Sequence, residues 1–153
     1  MGINNLGAEE ERKASLKRQR ENQLKTLGKE EILKEIREHQ SARMLSRQEL
    51  ENKSKQHTKQ WILSSALKRL PTPKESEKII DNIRYNPKMI FTCIDTLTKE
   101  IAWIFIGSTK SPEYDNILVA SRGGRVRSFY PIDDLRRYLD NMKNWVDIGE
   151  FLK

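Results

Sequence analysis

Cysteine is almost absent from this chain: Cys93 stands alone, so no intramolecular disulfide can form and a disulfide-stapled secreted domain is excluded. Histidine is nearly as scarce. His39 and His57 have no cysteine or acidic partner at ligand spacing, which excludes a clustered metal site and leaves both expected as helix-surface residues. No run approaches the roughly 20 apolar residues of a spanning helix, so no membrane role is expected. Residues 1–26 contain no apolar core of the signal-peptide kind. Gly2 is followed by Ile3, Asn4, Asn5 and Leu6, without the Ser or Thr of a myristoylation signal. An intracellular, cytoplasmic location is therefore the expectation. Proline is missing from the first 70 residues, and all five prolines lie beyond them.

Charge is abundant instead. The 153 residues carry 29 Lys+Arg and 22 Asp+Glu, a net charge of +7. Residues 1–70 hold 16 and 10 of these, a balance of +6, whereas residues 71–153 hold 13 and 12. A proline-free stretch rich in Glu, Lys, Arg, Gln and Leu reads as helical. The turn residues and β-branched runs of a compact domain lie in the rest. The division expected from this pattern is a basic, charged helical arm over residues 1–58 and an α+β domain over residues 59–153.

Within the arm, residues 8–26 carry good helix formers, with Glu9, Glu10 and Glu11 at the positive end of the helix dipole and Lys25 near the other end. Ala14, Leu16, Leu24 and Leu27 are too few for a packed face, which predicts a solvated or frayed helix. Gly28 is a break. Ser46 and Glu49 match a capping box. Poor heptad continuity argues against a regular coiled coil, though a short helical pairing with a protein partner survives.

From residue 59 the pattern sharpens. Trp61, Ile62, Leu63, Ala66, Leu67 and Leu70 build one apolar face, predicting a docking helix over 59–70 that ends at Pro71. Thr72, Pro73 and Glu75 start another helix over 73–85. Strands are expected at 89–95, 101–107, 116–121 and 125–130, with a loop over 107–115 and a tight Gly123-Gly124 connection. A helix over 133–143 presents Leu135, Tyr138, Leu139 and Met142 inward, and residues 145–152 pack as a tail. The fold class expected is α+β, a mostly antiparallel sheet of about four strands flanked by helices. The 101–107 strand is apolar on both parities, so both faces need cover, from the 61–70 helix or from a second chain in a homodimer.

No constellation supports catalysis. Cys93 lies in an apolar strand and reads as a structural thiol. Asp133 and Asp134 fall at a helix start, where acids oppose the dipole. Gly123-Gly124 lacks the longer glycine pattern of a phosphate-binding loop, and no serine stands in a nucleophile elbow. Neither a cofactor nor a metal is expected.

The positive features are clusters of cations. Arg12, Lys13, Lys17, Arg18, Arg20 and Lys25 face a single intervening acid, Glu21. Arg43, Arg47, Lys53, Lys55, Lys59, Lys68 and Arg69 meet only Glu49 and Glu51. Arg122, Arg125 and Arg127 surround the hairpin tip, with 125 and 127 expected on one side. Such clusters suit phosphate contacts, and arginine forks suit base edges. With no aromatic platform evident on an exposed strand, double-stranded DNA is expected in preference to RNA. The reading is a non-enzymatic nucleic-acid-binding accessory or regulatory protein. The alternative is a protein–protein adaptor whose helical arm pairs with a partner and whose charge is solubilising.

Overall fold

The computed structural model describes residues 2–109 and 115–153. Part of the loop expected over 107–115, residues 110–114, therefore lies outside the described residues. The chain begins with helices α1 (Gly2–Thr26), α2 (Lys29–Gln40), α3 (Arg47–Gln56), α4 (Thr58–Ser64) and α5 (Pro73–Tyr85). Strands β1 (Met89–Ile94), β2 (Ile101–Gly107), β3 (Asn116–Arg122) and β4 (Arg125–Ile132) follow, then α6 (Leu135–Asp140), β5 (Val146–Asp147) and a 3-10 turn over Ile148–Phe151. The α+β class is as expected, with a helical first half and an antiparallel sheet after it. The sheet has five strands rather than four, in the order β4-β3-β2-β1-β5. The extra strand comes from the tail, where Val146 and Asp147 pair with Thr92 and Phe91.

Local chemistry explains most boundaries. Ser46 and Thr72 accept from the backbone N–H groups of Glu49 and Glu75, and each glutamate reaches back to its cap, so both capping boxes form. Gly28 caps α2 in extended conformation. Gly123 and Gly124 have φ of +60° and +75°, the two left-handed residues that a tight hairpin with right-twisted strands requires.

Two expected helices are shorter than their apolar patterns. α4 stops at Ser64 instead of continuing to residue 70, because the Asp115 carboxylate accepts from the Ala66 N–H at 2.7 Å and Ser65 turns extended. Trp61 is buried, but Ile62 and Leu63 are exposed, so the broad six-residue face is not formed. α6 runs over Leu135–Asp140 rather than 133–143, and Asp134, not Asp133, caps it through the Arg137 N–H. Leu135, Tyr138 and Leu139 are half-buried against the sheet.

The arm is the larger correction. Leu24, Ile32, Ile36, Leu45 and Leu50, all before residue 58, share one buried cluster with Trp61, Ile80, Trp103 and Phe129. The boundary expected at 58/59 therefore does not separate an arm from a domain. α1 lies against β1 and β5, α5 against β2 and β3, and α3 and α4 against β4, covering one face of the sheet. The other face, with Phe91, Cys93, Ile104, Ile106 and Leu118, is met by α6 and Trp145 of the same chain. That removes the burial argument for a second chain over β2.

Leu24 is 1% exposed. Leu24→Ala should cost about 2–5 kcal/mol in urea denaturation, the range for a buried leucine. A change near zero would restore the solvated helix. At the start of α5, hydrogen bonds from the Arg69 guanidinium and the Thr72 N–H lower the Glu75 carboxyl from 4.5 to about 2. Because the folded value is the lower one, this stabilisation is present above pH 4.5 and is lost as pH falls toward 2. Glu75→Gln should destabilise at pH 7 by about 1 kcal/mol at most, since solvent screens the pair, and should converge with the parent near pH 2.

Candidate nucleic-acid interface

The expected cation clusters do not form one surface. Strand order puts the α1 cluster at the β1–β5 edge and the α3–α4 cluster at the β4 edge, three to four strands away, roughly 14–19 Å at about 4.8 Å per strand step. Within α1 the charges also diverge. Arg12 is exposed and pairs with Glu9 at 3.2 Å, Lys13 and Lys17 are half-buried, and Arg18 is exposed.

Arg20 is not a surface cation. It is 1% exposed, donates through Nε to Thr92 Oγ1 at 3.0 Å and through Nη1 to Gln23, and lies 3.5 Å from Glu35. Its guanidinium also sits 5.5 Å from the Trp103 ring centroid. Burial disfavours its charge, and Glu35 opposes that effect. Arg20 therefore ties α1 to α2 and β1, and is withdrawn as a nucleic-acid contact.

At the opposite edge the structure joins what sequence separates. The segment between α2 and α3 runs beside the hairpin: the Arg43 N–H donates to the Gly124 carbonyl at 3.0 Å, and the Val126 N–H donates to the Arg43 carbonyl at 2.9 Å. Glu49 of α3 accepts from Arg125 at 2.7 Å, and one helix side further on His57 stacks on Tyr130 with centroids 4.3 Å apart. Lys53 lies between Glu49 and His57 at helical spacing, and so faces the same edge. Arg43 and Lys53 of the second cluster thus meet Arg125 of the third along β4, whereas Arg69 turns to Glu75 at the start of α5.

Part of that edge is internally neutralised. Arg122 pairs with Asp95 at 3.0 Å and with Glu100 at 3.6 Å, while Arg125 pairs with Glu49. Burial pushes the Asp95 carboxyl up, but hydrogen bonds from Thr98 and Leu97 and the charge of Arg122 hold it below its ordinary value. Hydrogen bonds at the Ser46 cap, more than Arg125, lower Glu49. Lys55 pairs with Glu51 at 3.0 Å, and Lys59 is exposed. Among the described residues, Arg43, Lys53 and Arg127 make no ion pair.

Arg125 and Arg127 do not project as a matched pair. Ser128 is opposite Ala120 but Val126 is opposite Ser121, so Arg127 is the extra residue of a β-bulge. Arg125 turns to Glu49, whereas Arg127 donates through Nε to the Arg122 carbonyl at 3.1 Å. Gly123 sits tightly beneath this group: a Cβ there would lie 2.9 Å from Glu100 Oε2 and 3.2 Å from Arg127 Nη2.

Arg122 and Arg127 also stand at the mouth of a cavity of about 180 Å³ on the face opposite α5. Its floor is Ala102, Ile104, Leu118 and Ala120, and Tyr130 and Trp145 wall it. Sequence reasoning names Arg43 in a cluster but not beside the hairpin, and misses Tyr130 and Trp145. The first is placed by a backbone pairing between distant segments. The aromatics converge only once the chain after β4 crosses the sheet face.

The histidines are packed rather than on a bare helix surface. His39 Nδ1 shares a hydrogen bond of 2.7 Å with Ser121 Oγ, and burial lowers its proton affinity. Ser121 is 1% exposed, so this Ser–His contact offers no open nucleophile. Among the described residues no group of three His, Cys, Asp or Glu converges as a metal site.

Cys93 is buried in the sheet, and burial together with Asp95 pushes its thiol up to about 12. At pH 8 the native thiol should react with an aromatic disulfide reagent far more slowly than the denatured chain, approaching that rate only through the unfolding transition. Equal rates would mean that the Cys93 thiol itself is not buried in the folded sheet. Comparison with known protein families, curated proteins and solved structures returned no match.

Proposed function

We propose a non-enzymatic nucleic-acid-binding role, with phosphate contacts along the β4 edge. The observation that carries it is the backbone pairing of Arg43 with the hairpin, which brings the segment before α3 to the sheet edge beside Arg125. Arg43, Lys53 and Arg127 have charge to spare there, and Lys59 extends the strip. Continuous cation strips of this kind bind phosphate backbones by releasing counterions. Double-stranded DNA remains the proposed polymer, with the α1 cations as peripheral contributors.

The adaptor reading finds less support. It needs helices with broad apolar faces free for a partner, whereas Leu24, Ile32, Ile36 and Leu50 are occupied in the chain's own core and α4 leaves only Ile62 and Leu63 exposed. No helix of the described residues is long and apolar enough to cross a membrane.

The test is a salt-titrated binding measurement on the whole chain with duplex DNA. The double variant Arg43→Gln and Lys53→Gln should weaken binding at low salt and reduce the slope of log K against log salt by about 1.8, at about 0.9 per phosphate lost. Arg18→Gln with Lys25→Gln should change the slope little. Undetectable binding at low salt, or an equal loss in the α1 variant, would overturn the proposal.

A further inference from the structure

The geometry points to a second recognition element: the cavity between the hairpin and Trp145 accepts a single unstacked guanine base, held by the fork of Arg127. It rests on the nucleic-acid reading for the source of that base; Arg127 belongs to both, whereas the cavity lining of Ala120, Tyr130 and Trp145 belongs to this element alone.

Size comes first. A cavity of 150 Å³ suffices for benzene, and drug-sized ligands take about 300 Å³ or more. A half-open cavity of about 180 Å³ therefore suits one planar ring system. Ala102, Ala120 and Ser128 are small, which is what leaves the space, and Tyr130 and Trp145 supply aromatic walls suited to a flat guest.

Charge then selects among flat guests. Arg122 and Arg127 are balanced at the mouth by Asp95 and Glu100, so the site does not call for an anion. Arg122 is engaged by both acids. Arg127 uses only Nε, on the Arg122 carbonyl, and its two Nη groups have no hydrogen bond among the described residues. A guanidinium fork is satisfied by two adjacent acceptors. Guanine presents that pair at O6 and N7, adenine sets an amino donor beside N7, and cytosine offers an amino donor. The base must be out of the stack to enter, so an overhang, end or extruded nucleotide supplies it.

The test is a titration of the whole chain with GMP, AMP, CMP and 7-deaza-GMP, followed by tryptophan fluorescence. Trp145 lines the cavity, whereas Trp61 and Trp103 are buried on the other face. The phosphate is common to all four, so differences report the base. GMP should bind about tenfold more tightly than 7-deaza-GMP, which lacks one acceptor, and than AMP. Arg127→Gln should bring GMP to the level of AMP, and Ala120→Leu, which fills the cavity, should abolish binding of all four. Thermal melting checks that each variant is folded, and Arg127→Gln keeps the test decisive if Ala120→Leu is not. Equal affinities for the four nucleotides, absence of GMP binding, or full GMP binding in Ala120→Leu would overturn the inference. Duplex binding that depends on Arg43 and Lys53 but ignores Ala120→Leu would leave the phosphate reading standing alone. GMP binding without any duplex binding would do the reverse.

Discussion

β2 is buried along both faces, and the rest of the molecule is arranged to keep it so. Six of its seven residues are buried, Trp103 and Phe105 toward one side and Ile104 and Ile106 toward the other. A strand of that kind needs two layers of cover. The helices of the first half form one layer, and α6 with the tail forms the other. The tail adds its own short strand beside β1, pairing at Phe91 and Thr92.

The same requirement decides where charge can go. Helices that cover β2 must turn their leucines and isoleucines inward, so their cations are sorted by the packing. Arg20 falls on the inward side of α1, where Thr92 and Gln23 accept from Nε and Nη1 and the Glu35 carboxylate and the Trp103 ring offset its charge. The remaining α1 cations diverge around the helix. At the β4 edge, α3 and the segment before it instead run alongside the hairpin, and the positive charge accumulates. Part of the net charge of +7 thereby collects at one edge of the sheet.

What sequence makes legible is what neighbouring residues decide. The capping boxes at Ser46 and Thr72 need only a residue three positions on, and both form. The Gly123-Gly124 turn and the four main strands follow from local composition in the same way. What it hides is decided by residues far along the chain. Asp115 ends α4 from 49 residues away, and Thr92 receives Arg20 from 72 residues away. The bulge at Arg127 and the pairing of Arg43 with the hairpin are likewise tertiary, so the paired arginines expected at 125 and 127 separate and Arg43, grouped by sequence with Arg47 and Lys53, joins the hairpin. Low apolar content in residues 8–26 suggested a solvated helix because composition counts leucines, not their placement. Leu16, Leu24 and the buried Arg20 at successive turns are enough to hold α1 down.

The central claim is that nucleic acid meets the β4 edge and not the outer face of α1. Amide hydrogen exchange of the whole chain with and without duplex DNA at low salt addresses it most directly. Slowed exchange confined to residues 41–47 and 122–128, with residues 8–26 unchanged, is the predicted result. Protection centred on residues 8–26, or none anywhere at saturating DNA, would contradict it.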